Sequence, residues 1–214
     1  VSIMRDYIHN NPETGIVGPR ILNGKNIVQR SNMLIKTGLK QKYLFRTFLH
    51  RFLQSYNKEY RGSYSGTSPV LVHAVSGCCF MISRNCASAL SPVFDENTFL
   101  YEEELILGIR MEKVGLKTVY LPESVVFHYH GSSSKNVKAF AFTEFVKSEI
   151  YYCKSYLKAN VFKVLPLYLI RLSSYIVRSF TSKDFLKGFP KFVGQTIPRL
   201  FSKDGLGRTK KTSI

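Results

Sequence analysis

The sequence predicts an α/β fold followed by basic, amphipathic helices, and three observations carry that prediction. Short apolar or β-branched runs, Gly15-Ile16-Val17-Gly18-Pro19, Val70 to Ser83 and Thr118 to Leu121, alternate with helix-patterned segments through residues 1–134. Beyond residue 135 the strand-like runs give way to amphipathic helical patterning. The charge divides at the same place: residues 135–214 hold 16 of the 31 Lys and Arg but only 4 of the 14 Asp and Glu. A chain of 214 residues with 44% hydrophobic and 21% charged residues is long enough for one packed domain with an appendage, and its composition excludes disorder. The expected division is therefore residues 1–134 and residues 135–214.

The elements follow in order. Ser2 to Asn10 reads as a short helix broken by Asn11-Pro12, and Gly15 to Pro19 as a buried strand ending in a turn. A domain that opens on a helix feeding an interior strand is expected to have earlier strands before Val1. Residues 23–68 are polar and basic with one helix at Leu44 to Ser55, a connection long enough to be functional or mobile. Val70 to Ser83 reads as a strand interrupted at Gly77, followed by a short helix near Cys86 to Leu90 and a turn at Phe94-Asp95-Glu96. Leu105, Ile109 and Met111 give Glu102 to Val114 a helical period, which Gly115 ends. Thr118 to Leu121 is a short strand closed by Pro122, and Val125 to Phe127 a second extended piece. Asn136 to Ala159 reads as a long amphipathic helix. The remainder, interrupted at Pro166, Gly188-Phe189-Pro190, Pro198 and Gly205, reads as short basic helices and a frayed tail.

A net charge of +17 calls for a polyanion. In Val161 to Phe180 the bases Lys163, Arg171 and Arg178 are embedded in apolar residues, which suits an anionic membrane interface better than a nucleic-acid groove. Nucleic acid would require the aromatics on one exposed face as a stacking platform, whereas they are spread through strands and helices, so no nucleic-acid partner is expected. The longest clean apolar run, Val164 to Ile170, contains Pro166 and stops at Arg171, far short of a span, so the chain is expected to lie on a membrane. No signal peptide is read at the start, which is Val rather than Met. Cys78, Cys79, Cys86 and Cys153 form no Cys-x-x-Cys pair, which points to a reducing cytosol rather than a disulfide or zinc framework.

Three segments could carry chemistry. Tyr101-Glu102-Glu103-Glu104 opens a helix, where the dipole alone favours acidic side chains; carboxylates crowded by like charge also make better general bases near neutral pH. His128 and His130, two residues apart in an extended segment, project to one side and can hold a metal or phosphate, or are loop histidines satisfied by backbone. Ser76-Gly77-Cys78-Cys79 places a glycine where a backbone is closely approached, or at a β-bulge.

In this order and spacing, the pieces resemble the second half of the inverting GT-A glycosyltransferases, and among them the bacterial rhamnosyltransferase-like members that build cell-surface polysaccharides. The resemblance runs over about residues 5–135 through Gly15 to Pro19, Gly77 to Arg84, Phe94-Asp95-Glu96, Phe99-Leu100-Tyr101 with its acidic pair, Arg110, Gly115, Tyr120-Leu121-Pro122, and His128 with Gly131-Ser132-Ser133. It implies the acceptor-side half of a GT-A, Rossmann-like domain in residues 1–134, with residues 135–214 as a membrane-associating extension. It implies that Glu104, or Glu103, deprotonates the acceptor hydroxyl, that Gly77, Cys78, Tyr101, Arg110 and His130 face substrate, and that His128 helps hold a metal or the leaving diphosphate. The sequence departs from the family pattern twice: Glu104 stands where Asp is common, and Ile106 where a further Asp is usual.

The same resemblance implies a nucleotide-diphosphate sugar donor, a lipid-linked or glycan acceptor, and a single in-line displacement with inversion. It also implies Mg²⁺ or Mn²⁺ on an Asp-x-Asp motif in a nucleotide-binding half expected before Val1, so that these 214 residues alone would turn over little. The expected location is cytoplasmic and peripheral, on the inner face of the cell membrane. The competing class is a non-catalytic membrane-binding remnant that lacks the donor half.

Overall fold

The computed structural model describes residues 1–29, 32–45, 66–129 and 137–207. His130, the Gly131-Ser132-Ser133 motif and most of the expected Leu44 to Ser55 helix lie outside them. The chain forms two compact units, one of Val1–Asp95 with Glu103–His130, the other of Glu96–Glu102 with Gly131–Ile214.

The first unit is built on a mixed four-stranded sheet of β1 (Thr14–Leu22), β2 (Val70–Val72), β3 (Met81–Ile82) and β4 (Lys117–Phe127), in the order β2-β4-β1-β3. The central pair β1 and β4 is parallel, and each edge strand is antiparallel to its neighbour. Period-two alternation sorts the side chains: Ile16 and Tyr120 enter one core cluster with Val72, Leu107 and Met111, while Val17 and Val119 enter the other with Met4 and Leu121. Helix α1 (Ser2–Asn10) supplies Met4 to the second cluster, and the helix Glu103–Lys113 supplies Leu107 and Met111 to the first. Burying each such side chain contributes about 1.5–3 kcal/mol.

Two expectations about the strands are corrected. Thr118 to Leu121 and Val125 to Phe127 are one strand, because the register against β1 slips between Pro19↔Leu121 and Arg20↔Val125, and Pro122 occupies the irregularity. For the same reason β1 continues past Pro19 to Leu22. Val70 to Ser83 is not one strand broken by a bulge: β2 and β3 lie on opposite edges of the sheet, and residues 73–80 cross between them. The backbone of Met33 braces that crossing, exchanging hydrogen bonds with Ala74 (2.8 and 3.2 Å) and accepting from His73 N–H (2.8 Å).

Besides α1, the helices of this unit are α2 (Leu39–Phe45), α3 (Arg84–Ala89) and α4 (Glu103–Lys113). The Ser83 hydroxyl caps α3 by accepting from Cys86 N–H at 3.1 Å. Gly115, at φ +72°, closes the turn after α4 in a conformation other residues adopt only with strain.

The second unit contains α5 (Lys138–Tyr151), which widens into a π-helical turn at Tyr152–Tyr156, then α6 (Val161–Thr181) and α7 (Lys183–Phe201). The stretch expected to form short helices thus forms two long ones, Val161–Thr181 and Lys183–Phe201. Pro166, Pro190 and Pro198 each lie within a helix on its exposed side, where water can serve the carbonyl that a proline leaves without a donor. Burial of Tyr168 and Tyr175 on α6 and of Phe185, Phe192 and Leu200 on α7 outweighs the proline cost of about 3 kcal/mol each. Helix α5 is also less amphipathic than its sequence implies. From Thr143 to Tyr151 only Lys147 is not buried, and Lys147 pairs with Glu144 at 2.7 Å.

Candidate active site

The acidic segment divides at the start of α4. Tyr101 and Glu102 both take φ +70°, an uncommon conformation for residues with a β-carbon. They belong to the second unit, where Glu102 is buried and the Tyr101 ring meets Phe145 edge-on at 5.6 Å. Glu103 and Glu104 form the first turn of α4 in the first unit, where the amide dipoles favour negative charge. Consecutive acidic residues therefore serve different surroundings.

Glu104 is half-buried, and its Oε1 accepts the Gly77 N–H at 2.9 Å. A β-carbon built on residue 77 would overlap that carboxylate, so the absence of a side chain here lets Glu104 reach the Gly77 amide. Cys78, the next residue, is exposed, with its N–H 3.5 Å from the Ser76 hydroxyl. Partial desolvation raises the Cys78 thiol pKa, the Ser76 hydroxyl lowers it, and the Cys79 and Glu104 charges raise it further; the thiol is a neutral neighbour of the carboxylate. Glu104, Gly77 and Cys78 are thus together.

Glu104 also lines a cavity of about 10 Å³, room for one water, with His73, Phe80, Gly108 and Thr118. His73 lies in the crossing segment against Gly108 of α4, where an added β-carbon would stand 2.9 Å from its Nε2. That nitrogen is sealed from solvent and has no hydrogen-bond partner among the described residues. Burial lowers the His73 pKa; Glu112 opposes the shift, Lys36 adds to it and the Leu105 carbonyl opposes it, so the ring is neutral. The sequence reading missed His73, whose one signal is a polar residue within the apolar run from Val70 to Val75. It also missed Asn32, which is buried and accepts the Ser76 N–H at 3.3 Å, fixing the loop that carries Gly77.

Arg110 and His128 are held by other contacts of the first unit. Arg110 donates to the carbonyls of Val93 (2.7 Å) and Pro92 (2.6 Å), pinning the loop after α3. His128 follows β4, its N–H on the Leu22 carbonyl (2.8 Å) and its carbonyl accepting from Gln29 Nε2 (2.7 Å). Among the described residues no three His, Cys, Asp or Glu side chains are placed to hold a metal ion. His130 lies outside the described residues.

No family model matches the chain. A stretch of 140 residues, 63% of the chain, is 28% identical to an N-acetylglucosaminyl-diphospho-decaprenol L-rhamnosyltransferase of Mycobacterium tuberculosis, in strains CDC 1551 / Oshkosh and ATCC 25618 / H37Rv alike. The match covers 43% of those proteins, so the chain spans less than half the length of the relatives it matches. The chain is thus distantly similar to a glycosyltransferase.

Proposed function

We propose that the chain is the acceptor-side part of an inverting glycosyltransferase with Glu104 as general base. The observation that carries this reading is the Glu104 carboxylate, half-buried at a helix start and aimed by the Gly77 amide in space that a side chain at residue 77 would take. The similarity to a rhamnosyltransferase supports it. The donor on this reading is a nucleotide-diphosphate sugar, and the acceptor a hydroxyl of a lipid-linked or polysaccharide glycan. Glu104 takes the hydroxyl proton as the acceptor oxygen bonds to the anomeric carbon. The bond from that carbon to the diphosphate oxygen breaks on the opposite side, and the electron pair leaves with the nucleotide diphosphate. Glu103, one residue earlier, is the other candidate for the base.

Mg²⁺ or Mn²⁺ would offset the charge growing on the diphosphate. Among the described residues no three His, Cys, Asp or Glu side chains form its site, and its main ligands on this reading belong to another part of the enzyme. The 214 residues alone would accordingly turn over little.

The second unit, on the same reading, is the membrane-associating part, and it rests on an anionic surface at the cytoplasmic face of the cell membrane. Among the described residues no helix is long and apolar enough to cross a membrane. The outward faces of α6 and α7 instead carry Phe162, Leu169, Ile176, Phe180, Leu186 and Phe201, all exposed.

The test is transfer from a nucleotide sugar to a lipid-linked acceptor by the enzyme containing this chain, with the product's anomeric configuration read by NMR. Inverted product whose formation depends on Glu104 supports the proposal. Retained configuration sinks it, and vesicle binding without transfer would favour the non-catalytic module.

A further inference from the structure

The parallel strands β1 and β4 finish together, with Leu22 opposite Phe127. Open α/β sheets bind their ligands outside the carboxyl ends of such strands. Helix α4 places Glu104 toward the same end: Met111 packs against Gly15 at the start of β1, and Glu104 stands about two turns earlier in the helix.

That end of the sheet presents two aromatic rings to solvent, Phe127 at 60% exposure and Tyr129 at 70%. After β4 ends the chain stays beside β1, its His128 N–H on the Leu22 carbonyl, so Phe127 lies beside Leu22 and Tyr129 over Gly24 on one face. Tyr129 is exposed without being loose. Its ring is bedded on Gly24, where a β-carbon would stand 2.6 Å from Cε1. The turn beneath it is tied by Asn23, whose carbonyl accepts the Asn26 N–H (3.0 Å) and whose Oδ1 accepts the N–H groups of Lys25 (2.9 Å) and Ile27 (3.0 Å). A ring held in this way loses little freedom when something stacks on it, which lowers the cost of binding.

With Val125, 46% exposed, the rings form a narrow row among polar groups. Arg20 faces Val125 across the ladder, one guanidinium nitrogen on the Gly66 carbonyl at 2.7 Å, and Lys25 and Asn26 of the turn are exposed. Such a setting suits a pyranose, whose C–H face stacks on an aromatic ring while its rim of hydroxyls stays hydrogen-bonded. A protein partner or an acyl chain would call for a broader apolar patch. We propose that Phe127 and Tyr129 are a carbohydrate subsite, a stacking platform that holds a sugar of the acceptor glycan while Glu104 acts on its reacting hydroxyl. That the bound glycan is the acceptor rests on the glycosyltransferase reading; the stacking does not.

The chain contains no Trp, so Tyr129→Trp keeps an aromatic ring in place and supplies the only indole. In the full chain its fluorescence should change saturably with at least one of chitotriose, maltotriose and a rhamnose trisaccharide, because a platform reads the C–H face rather than the hydroxyl pattern. By calorimetry Tyr129→Phe should bind that sugar as the native chain does. Phe127→Ala and Tyr129→Ala should each bind about tenfold more weakly, the scale of apolar burial lost, with the melting temperature unchanged because both side chains are exposed. In the enzyme containing this chain the two Ala variants should raise the acceptor KM and spare kcat, whereas Glu104→Gln lowers kcat. No response to any of the three sugars overturns the platform. Glycan binding indifferent to both rings places the sugar elsewhere and also overturns it, leaving the glycosyltransferase reading intact. Ring-dependent binding in an enzyme that transfers no sugar overturns the glycosyltransferase reading while the platform stands. Loss of vesicle adsorption in the two Ala variants, with no glycan response, assigns the rings to the membrane instead.

Discussion

The Glu104 carboxylate accepts the Gly77 amide at 2.9 Å from a residue 27 positions earlier, across a gap that a methyl group would close. One hydrogen bond therefore ties the start of α4 to the segment that crosses the sheet. Glu104→Gln keeps the shape and loses the base, and should lower turnover of the enzyme containing this chain by at least about a hundredfold. Glu103→Gln should leave it within about tenfold. Steady-state rates for the two variants decide which is the base; the reverse order would move the role to Glu103.

Gly77→Ala tests the same contact from the other side. The new methyl displaces the carboxylate, so turnover should fall by about tenfold or more even though Glu104 is intact. Gly66→Ala, with open space around it, is the control and should be silent. If Gly77→Ala keeps its rate, the contact does not aim the carboxylate.

The buried imidazole of His73 predicts a pH dependence of stability. Its folded pKa is lowered from 6.5, so the unfolded chain binds more protons in that range and stability rises with pH. The contribution is complete above 6.5 and is lost as pH falls through the lower folded value. His73→Gln should flatten the melting temperature against pH in that window. An unchanged slope would mean that other groups govern it.

Arg171 shows how far local patterning misleads. In sequence it reads as a membrane-facing base, but its Nε and terminal nitrogen hold both oxygens of Glu149 at 2.7 and 3.0 Å, and both side chains are buried. Arg171→Met should destabilise by about 3–5 kcal/mol by leaving Glu149 alone, while replacing both residues by Met should come close to neutral. Urea denaturation of the single and double variants reads the difference directly. Equal losses would deny the coupling.

What could be read in advance was what neighbours in sequence decide. Helix α1 occupies the expected Ser2 to Asn10, and α4 ends as Gly115 requires. The prolines misled because a breaker acts only where its missing donor is needed. Pro166, Pro190 and Pro198 are exposed, and Pro122 fills a register slip. His73 and Asn32 stayed hidden because their surroundings come from the crossing between β2 and β3, which no local pattern announces. Gly77 and Glu104 could each be picked out, but their contact depends on the same crossing.

The outer face of α6 carries the last prediction. Phe162 (79% exposed), Leu169, Ile176 and Phe180 (85%) recur at spacings of seven, seven and four, with Pro166 between the first two, along a helix of 21 residues, about 30 Å. The opposite face buries Val164, Leu167, Tyr168, Arg171 and Tyr175, so the helix has one apolar side for its own core and another for something else. Replacing the four exposed residues by Ser should reduce partition onto phosphatidylcholine–phosphatidylglycerol vesicles by about a hundredfold or more, since each loses apolar burial at the interface. Stability should be unchanged, because none of the four is in the core. Salt separates this contribution from that of the basic residues: raising ionic strength weakens headgroup attraction and leaves the apolar part standing. Binding to the vesicles that survives the four substitutions but vanishes in high salt would assign the attachment to charge alone.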